Sequence, residues 1–360
     1  MVRVRTLQRA ALPSELLHHV SPASSHSRRV ATNVAENGED CTIYIASGVH
    51  VYGIKIELRE TTVEAGKEDM LIPVDGQVAD AWQLQQCPHR AEIQSIALSA
   101  SQNDGGVLLG SVDSNGHLVV TCLDSTTSRG ASYTTGPQDA GMGEGWWAGI
   151  VFSQSHPGLA AVARGMAKTI DFYDKDIHVR TLRTLQHPTS LTFLHGSGSG
   201  DNPPLLAVTE GPQVSIWDIR QGERGGCVHR LFGASSGEPL YAISSSSDGL
   251  VATGGAERSI VVYDAYKWTA RSRWTNCLKY EINGLFFSTA DPGLIYVHGI
   301  DYEVLCGPWN RESNQGSLES TFTFRGDSRW LGVDKCLNMD VLAGWCESGT
   351  IFAGHIVEGI

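Results

Sequence analysis

Metal chemistry is the first possibility that the residue types raise, because the chain contains 13 histidines and eight cysteines. Only His18 and His19 are neighbours, and no cysteine or acid accompanies them at the spacing of a zinc site. Asp171, Asp174 and Asp176 form an acidic cluster, but they lack the spacing and the glycine of a calcium-binding loop. We therefore expect His18 and His19 to lie at the surface or at a helix cap, and the three aspartates to lie at the end of a strand and in the turn that follows it. No metal site is predicted.

Two glycine-rich runs raise the possibilities of nucleotide binding and nucleophilic catalysis. Gly143, Gly145 and Ala148 match the spacing of a dinucleotide fingerprint, but a polar loop precedes them and an apolar strand follows, whereas that fingerprint needs a strand before it and a helix after it. The run 196–200 has glycine where a nucleophile elbow needs serine, and it predicts a flexible loop. No nucleophile, base and orienting group form a recognisable set. The sequence thus predicts no catalytic residues, no cofactor and no enzyme.

Composition and charge favour an all-β protein with an acidic surface. The 360 residues include 40 glycines and 13 prolines, which indicates many tight turns between short strands. The net charge is −12, so neither nucleic acid nor an anionic membrane is a predicted partner. Residues 1–29 hold five arginines and one acid, Glu15, while the rest of the chain holds 22 basic and 38 acidic residues.

The cysteines and the N-terminus bear on the cellular location. No pair forms a C-x-x-C, most cysteines lie in apolar runs, and no secretory signal is present, which favours reduced thiols in the cytoplasm or nucleus. No apolar run approaches 18 residues, so no membrane-spanning segment is predicted. The arginine-rich N-terminus also fits an organellar transit peptide, although the alternation of Val2, Val4 and Leu7 favours a β-strand.

The elements that would position any site are organised as a repeat. An apolar strand, a turn, a second apolar strand, a polar turn and a third strand that ends in aspartate recur along the chain. The clearest copy spans 205–218, and its last residue belongs to the series Asp124, Asp174, Asp218 and Asp264, whose members are 50, 44 and 46 residues apart. A four-stranded propeller blade needs about 40–45 residues, so each repeat is predicted to form one blade.

Further copies are more degenerate and bring the predicted number of blades to seven, at 30–57, 282–307 and 330–357. The inner strands are continuous apolar runs, as expected for strands that are buried on both faces. The last copy shows only three strands, and residues 2–8 are predicted to supply the fourth strand and close the ring. Residues 61–78 and 125–145 are polar and glycine-rich and are predicted as surface loops.

The predicted fold is therefore an all-β, seven-bladed β-propeller. Residues 1–29 form an N-terminal segment with the ring-closing strand, and residues 30–360 form the propeller. Alternating residues in 179–185 and 320–324 predict outer edge strands, and only Leu12–Val20 has a short helical pattern. The predicted blades span 30–86, 90–137, 146–186, 187–233, 237–276, 280–325 and 328–360.

The segment Leu205–Arg220, which contains Ile-Trp-Asp-Ile-Arg at its end, resembles the WD-repeat family. The spacing of the repeats resembles that of the family over nearly the whole chain, whereas the characteristic residues of the family occur in only three or four blades. It implies that a histidine before the first strand of a blade hydrogen-bonds to an aspartate between the second and third strands. His89 and Asp113 have the spacing for this pair, whereas the family's Gly-His is mostly missing. The closing aromatic–Asp pairs are Tyr173-Asp174, Trp217-Asp218 and Tyr263-Asp264.

The resemblance implies a protein-interaction scaffold or adaptor. Propellers of this kind present loops from many blades on a rigid disc, and an acidic disc favours partners with basic surfaces. Trp146 and Trp147 open a blade strand and are candidate interaction residues, because an exposed tryptophan is a frequent interface anchor. Packing inside the blade is the competing explanation for both tryptophans.

A narrower hypothesis is a substrate receptor of a cullin-RING ubiquitin ligase. WD-repeat receptors of that class carry a box that ends in W-D-x-R, which 217–220 matches, and the resemblance would make Arg220 the residue that contacts the ligase adaptor. The box departs from the family pattern in having one residue fewer before the tryptophan and no aspartate in the intervening turn. An ordinary blade that ends in arginine would explain the same residues, and a catalytic propeller such as a hydrolase is a more remote hypothesis.

Overall fold

Seven sheets, each built on four antiparallel strands, form a ring in the computed structural model of this chain. The first strand of each blade contacts the first strand of a neighbouring blade around a central axis. The predicted all-β, seven-bladed propeller is thus confirmed. The structure describes residues 2–16, 28–35, 37–66, 70–84, 88–99, 106–123, 132–137, 145–156, 158–195, 205–221, 226–233, 236–310 and 322–359.

The strands of blades 2 to 4 follow one another along the chain, whereas three strands of other blades separate the third and fourth strands of blade 1. Blade 1 contains β2 (Val30–Val34), β3 (Asp40–Ser47), β4 (His50–Glu57) and β8 (Asp80–Gln83). Blade 2 contains β9 (Ile93–Leu98), β10 (Val107–Asp113), β11 (Leu118–Leu123) and β12 (Ser132–Thr135). Blade 3 contains β13 (Ala148–Phe152), β14 (Leu159–Arg164), β15 (Thr169–Asp174) and β16 (Ile177–Arg183). Blade 4 contains β17 (Pro188–Phe193), β18 (Leu206–Glu210), β19 (Gln213–Trp217) and β20 (Cys227–Phe232).

Blade 5 is again built from consecutive strands, whereas blades 6 and 7 also contain strands from distant parts of the chain. Blade 5 contains β21 (Leu240–Ser245), β22 (Leu250–Gly255), β23 (Ile260–Asp264) and β24 (Thr269–Trp274). Blade 6 contains β25 (Ile282–Phe287), β26 (Leu294–Gly299), β27 (Glu303–Pro308) and β28 (Phe322–Arg325), followed by β6 (Met70–Ile72) and β5 (Glu64–Ala65). Blade 7 contains β29 (Trp330–Lys335), β30 (Val341–Cys346), β31 (Thr350–Glu358), β1 (Val2–Ala11) and β7 (Val74–Asp75).

The apolar second and third strands of the blades form the core. All residues of β14 are buried, and so are all residues of β23. Clusters of apolar side chains connect neighbouring blades, as where Val112 of blade 2 packs with Ile150 and Val162 of blade 3. Each such aliphatic side chain contributes roughly 1.5–3 kcal/mol when fully buried, so contacts between blades hold the ring together.

The N-terminal strand closes the ring, as predicted. β1 pairs antiparallel with β31 from Val2 opposite Glu358 to Ala11 opposite Thr350. Leu7 is buried in the same cluster as Phe352 and Ile356. The first and last parts of the chain therefore belong to one sheet, and β1 satisfies the backbone groups along an edge that would otherwise be unpaired.

A segment between β4 and β8 crosses the outer edges of blades 6 and 7. We name residues 58–79 the strap. Its β7 pairs in parallel with β1, and its β6 pairs in parallel with β28. The prediction of 61–78 as a surface loop is therefore wrong, because short apolar stretches in the strap pair with sheets that are far away in the sequence. Phe322–Arg325 is the fourth strand of blade 6, in agreement with the outer strand predicted in 320–324, but β6 covers its edge.

Two smaller predictions are also corrected. Ser132–Thr135 is the fourth strand of blade 2, although 125–145 had the composition of a loop; its Tyr and Thr residues favour strands. In the predicted helical stretch, Ser14–Leu16 form one 3-10 turn, and the later residues lie outside the described ranges.

The described part of the chain contains no helix long and apolar enough to cross a membrane.

Candidate functional site

A serine, a histidine and an aspartate meet where the chain enters blade 2. His89 Nδ1 lies 3.1 Å from Asp113 Oδ2, and His89 Nε2 lies 2.8 Å from Ser111 Oγ. The structure thus brings together the histidine and aspartate that the family resemblance paired. Sequence analysis missed Ser111, whose signal is its place two residues before Asp113, on the same face of β10.

This cluster anchors the blade and has no access to a substrate. The side chains of His89 and Asp113 have no exposed area. Asp113 Oδ1 also accepts the backbone N–H groups of Asn115 and His117 at 3.0 and 2.9 Å. Burial raises the pKa of Asp113, but hydrogen bonds from His89 and from the His117 backbone outweigh that effect and hold the pKa below its usual value. The carboxylate therefore stays ionised as a structural acceptor.

The closing residues of blade 4 form a compact hydrogen-bonded turn. Trp217 is buried between blades 3 and 4 and donates from Nε1 to Ser215 Oγ at 2.9 Å. Asp218 Oδ1 accepts the backbone N–H and Nε of Arg220, both at 2.9 Å, and Oδ2 accepts Nη2 at 2.7 Å. The hydrogen bond from the Arg220 side chain is the largest cause of the lowered pKa of Asp218. Tyr173 and Tyr263 are buried at the corresponding places in blades 3 and 5.

In blade 5 the closing aspartate, Asp264, also binds an arginine, but this arginine, Arg271, lies in the fourth strand and not directly after the aspartate as Arg220 does in blade 4. Arg271 donates from Nε and Nη2 to Asp264 Oδ2 at 3.2 and 2.6 Å. Arg271 is the extra residue of a β-bulge where β23 pairs with β24. In blade 4 the bulge residue at the corresponding place is Val228, which cannot bind a carboxylate. Arg220 therefore supplies the guanidinium that the bulge supplies in blade 5.

This equivalence leads to a rescue prediction. We expect Arg220→Ala and Arg271→Ala to lower the melting temperature by small and similar amounts, because the two side chains are 49% and 53% exposed in their ion pairs. Adding Val228→Arg to Arg220→Ala is expected to restore the melting temperature, since it places a guanidinium at the bulge. Differential scanning fluorimetry measures all three variants. A double variant no more stable than Arg220→Ala would contradict this account.

The two candidate tryptophans have different environments just before β13. Trp147 is 2% exposed and packs over Gly149, so it belongs to the blade interior. Trp146 is 38% exposed, and its ring meets the His187 ring edge-on at 4.8 Å between centroids. His187 in turn donates from Nδ1 to the carbonyl of Gly165 at 2.8 Å. Blade packing accounts for Trp147, whereas Trp146 offers a fixed aromatic surface to solvent.

Two exposed apolar side chains lie on the same face of the propeller as Trp146. Met166 lies in the turn between β14 and β15, and Leu185 lies in the connection from blade 3 to blade 4. Both are exposed large apolar residues. We name Trp146, Met166, Leu185 and His187 the Trp146 patch. We call the side of the disc that carries the connections between blades the entry face, and the opposite side, which carries the turns between third and fourth strands, the exit face. The Trp146 patch lies on the entry face.

A cavity of about 470 Å³ occupies the central axis. Arg28 reaches across it and donates from Nη2 to Ser190 Oγ of blade 4 at 2.6 Å. Asp334 Oδ2 accepts the backbone N–H of Thr32 at 2.7 Å, and burial raises the pKa of Asp334 to about 6. The first strands of blades 2 to 7 each contribute a residue at one level of the wall: Ala97, Val151, Thr192, Ser244, Phe286 and Asp334.

The described residues of the cavity lack the groups for nucleophilic catalysis. Ser245 Oγ is 3.5 Å from His195 Nδ1 and donates instead to the Phe193 carbonyl at 2.7 Å. His195 Nε2 contacts the amide oxygen of Gln154 at 2.6 Å, so no carboxylate orients the ring. Across the described ranges, no three His, Cys, Asp or Glu side chains are grouped to hold a metal ion. The cavity has the size of a small-molecule site but no activated nucleophile.

Comparisons with known proteins support the fold and leave the family open. One solved chain, in the structure described as "Crystal Structure of Mitotic Checkpoint Complex", is similar with a TM-score of 0.67 and 14% identity over 98% of this chain and 93% of that chain. No protein-family model matches the sequence. No curated protein matches it either. At 14% identity the likeness shows the propeller fold alone.

Proposed function

We propose that this protein is a non-enzymatic interaction scaffold of the WD-repeat type and that the Trp146 patch is a docking surface. The observation that carries this proposal is the exposed Trp146 ring, which packs edge-on against His187, while His187 donates to the Gly165 carbonyl. Two further exposed apolar side chains, Met166 and Leu185, lie on the same face. Tryptophan in a fixed conformation loses little entropy on binding and is enriched among interface anchors. The solved chain with the same fold comes from a structure named as a complex, which supports protein partners.

The ligase-receptor hypothesis gains no support from the geometry around Arg220. Two side-chain nitrogens of Arg220 bind Asp218, and blade 5 has a matching arginine without the W-D-x-R spacing. An ordinary blade therefore accounts for Arg220. Co-purification of a ligase adaptor with the wild type and with Arg271→Ala, but not with Arg220→Ala, would revive the hypothesis.

The scaffold proposal is tested by removing the patch while keeping the fold. We expect Trp146→Ala combined with Leu185→Ser to reduce co-purification of partner proteins at least tenfold, because loss of an interface aromatic costs about 2 kcal/mol or more. Affinity purification with quantitative mass spectrometry measures this reduction.

Tyr266→Ala is the matched control. Tyr266 is also an exposed aromatic, and it lies between the third and fourth strands of blade 5, on the exit face. Equal partner recovery from the patch variant, the control and the wild type would contradict the assignment of the patch.

A further inference from the structure

The strap packs against β1, the basic outer strand of blade 7. The described residues of the strap include three acids and one base, and parts of the strap lie along β1, which has three arginines and no acid. Asp75 Oδ1 accepts Nε of Arg9 at 2.8 Å, and Thr61 Oγ1 lies 3.0 Å from Thr6 Oγ1. Main-chain contacts accompany these, since Gly76 donates its N–H to the Arg9 carbonyl at 2.8 Å. An extended acidic segment therefore adds to a basic outer strand within the molecule.

The outer strand of blade 3 closely resembles β1. Residues 4–7 and 179–182 have the same sequence, Val-Arg-Thr-Leu, and each stretch is the fourth strand of its blade. Leu7 and Leu182 are both buried at 1% exposure. Both strands contain a bulge, at Arg5 in β1 and at Val179 in β16.

The two strands differ in what covers them. Among the described residues, no strand pairs with the outer edge of β16. Ile177 and Val179 are 67% and 53% exposed, whereas Val2 and Val4, which align with them in sequence, are partly buried. An exposed, apolar edge strand is a template for the addition of another strand.

Charge defines the kind of segment that fits this edge. The outer strands of blades 3, 4 and 5 contain five arginines, two histidines and no acid, although the chain has a net charge of −12. These outer strands are therefore basic although the chain as a whole is acidic, and two of their arginines, Arg271 and Arg273, already pair with Asp264 and Glu257. An acidic segment is electrostatically favoured here.

We propose that the outer edge of β16 binds an extended acidic segment of a partner protein by strand addition, as β1 binds the strap. Backbone hydrogen bonds would supply affinity, and contacts with Ile177, Val179 and the neighbouring arginines would supply specificity. This edge is separate from the Trp146 patch on the entry face. The proposal therefore goes beyond the scaffold function and stands on different residues.

The test uses a fluorescein-labelled peptide with the sequence of residues 57–66, Glu-Leu-Arg-Glu-Thr-Thr-Val-Glu-Ala-Gly, titrated with the full chain in a fluorescence anisotropy assay. We expect binding that weakens as salt is added and a dissociation constant at least about tenfold higher for Ile177→Glu/Val179→Glu, which removes the apolar contacts and repels an acidic peptide. Both side chains are exposed, so the variant is expected to fold. Ala270→Glu in β24 is the control, because it adds a glutamate to an exposed position of another outer strand, and it should bind like the wild type.

Three results would overturn the proposal. Equal affinity of the double variant would place the peptide elsewhere, for instance on β1 after displacement of the strap. Equal binding of a peptide with lysine in place of each glutamate would remove the charge argument. Self-association of the wild type that disappears in the double variant would assign the edge to a second copy of the chain. Loss of peptide binding in Trp146→Ala is not expected, so failure here is distinguishable from failure of the docking patch.

Discussion

A protein that lacks residues 2–11 is expected to aggregate or to melt far below the full-length form. The deletion leaves the outer edge of β31 unpaired along its whole length and removes Leu7 from the cluster that contains Phe352 and Ile356. It also deprives the strap of its contacts with Thr6 and Arg9. An open ring with an exposed apolar edge favours association between molecules. Size-exclusion chromatography and thermal melting measure both consequences.

Point variants distinguish the contribution of the buried side chain of β1 from that of its exposed charges. Leu7→Ala is expected to lower the free energy of unfolding by about 2–5 kcal/mol, as for other fully buried leucines. Arg3→Ala should change it little, because the pair of Arg3 with Glu60 is exposed. Cell-purified protein that has lost the N-terminus and keeps its stability would refute the closure role and favour the transit-peptide interpretation.

Asp171→Ala is expected to lower the free energy of unfolding by about 3–5 kcal/mol, because it leaves a buried guanidinium without its counter-ion. Arg164 Nη1 lies 2.5 Å from Asp171 Oδ2, and the two side chains are almost fully buried. Arg164 also donates to the Gly116 carbonyl of blade 2 at 3.3 Å, so it joins two blades. Chemical denaturation followed by tryptophan fluorescence measures the change.

The control for this pair is an apolar replacement of both members. Arg164→Met/Asp171→Leu is expected to be more stable than Asp171→Ala, because it removes the buried charge together with its partner. A double variant as unstable as the single variant would indicate that the other contacts of Arg164, and not the ion pair, stabilise this junction.

Local sequence patterns predicted the parts of this fold that depend on neighbours along the chain. Apolar runs followed by a closing aspartate located blades 3, 4 and 5, because a buried strand and its turn are encoded within a few residues. The three-stranded last copy predicted closure by β1, since an unpaired edge is unfavourable wherever it occurs. The pairing of His89 with Asp113 came from the family resemblance, and its geometry from the structure.

Only the tertiary structure decided which distant residues meet. The apolar stretches of the strap are too short to predict strands from sequence, and its short strands form because β1 and β28 offer unpaired edges. Arg220 and Arg271 perform the same function from different positions, because a bulge directs one of them toward its aspartate and a turn directs the other. Trp146 and Trp147 are adjacent and chemically identical, yet only Trp146 is exposed. The sequence by itself thus determined the blades and the closed ring, whereas surfaces, caps and edge coverage depended on contacts between segments far apart in the chain.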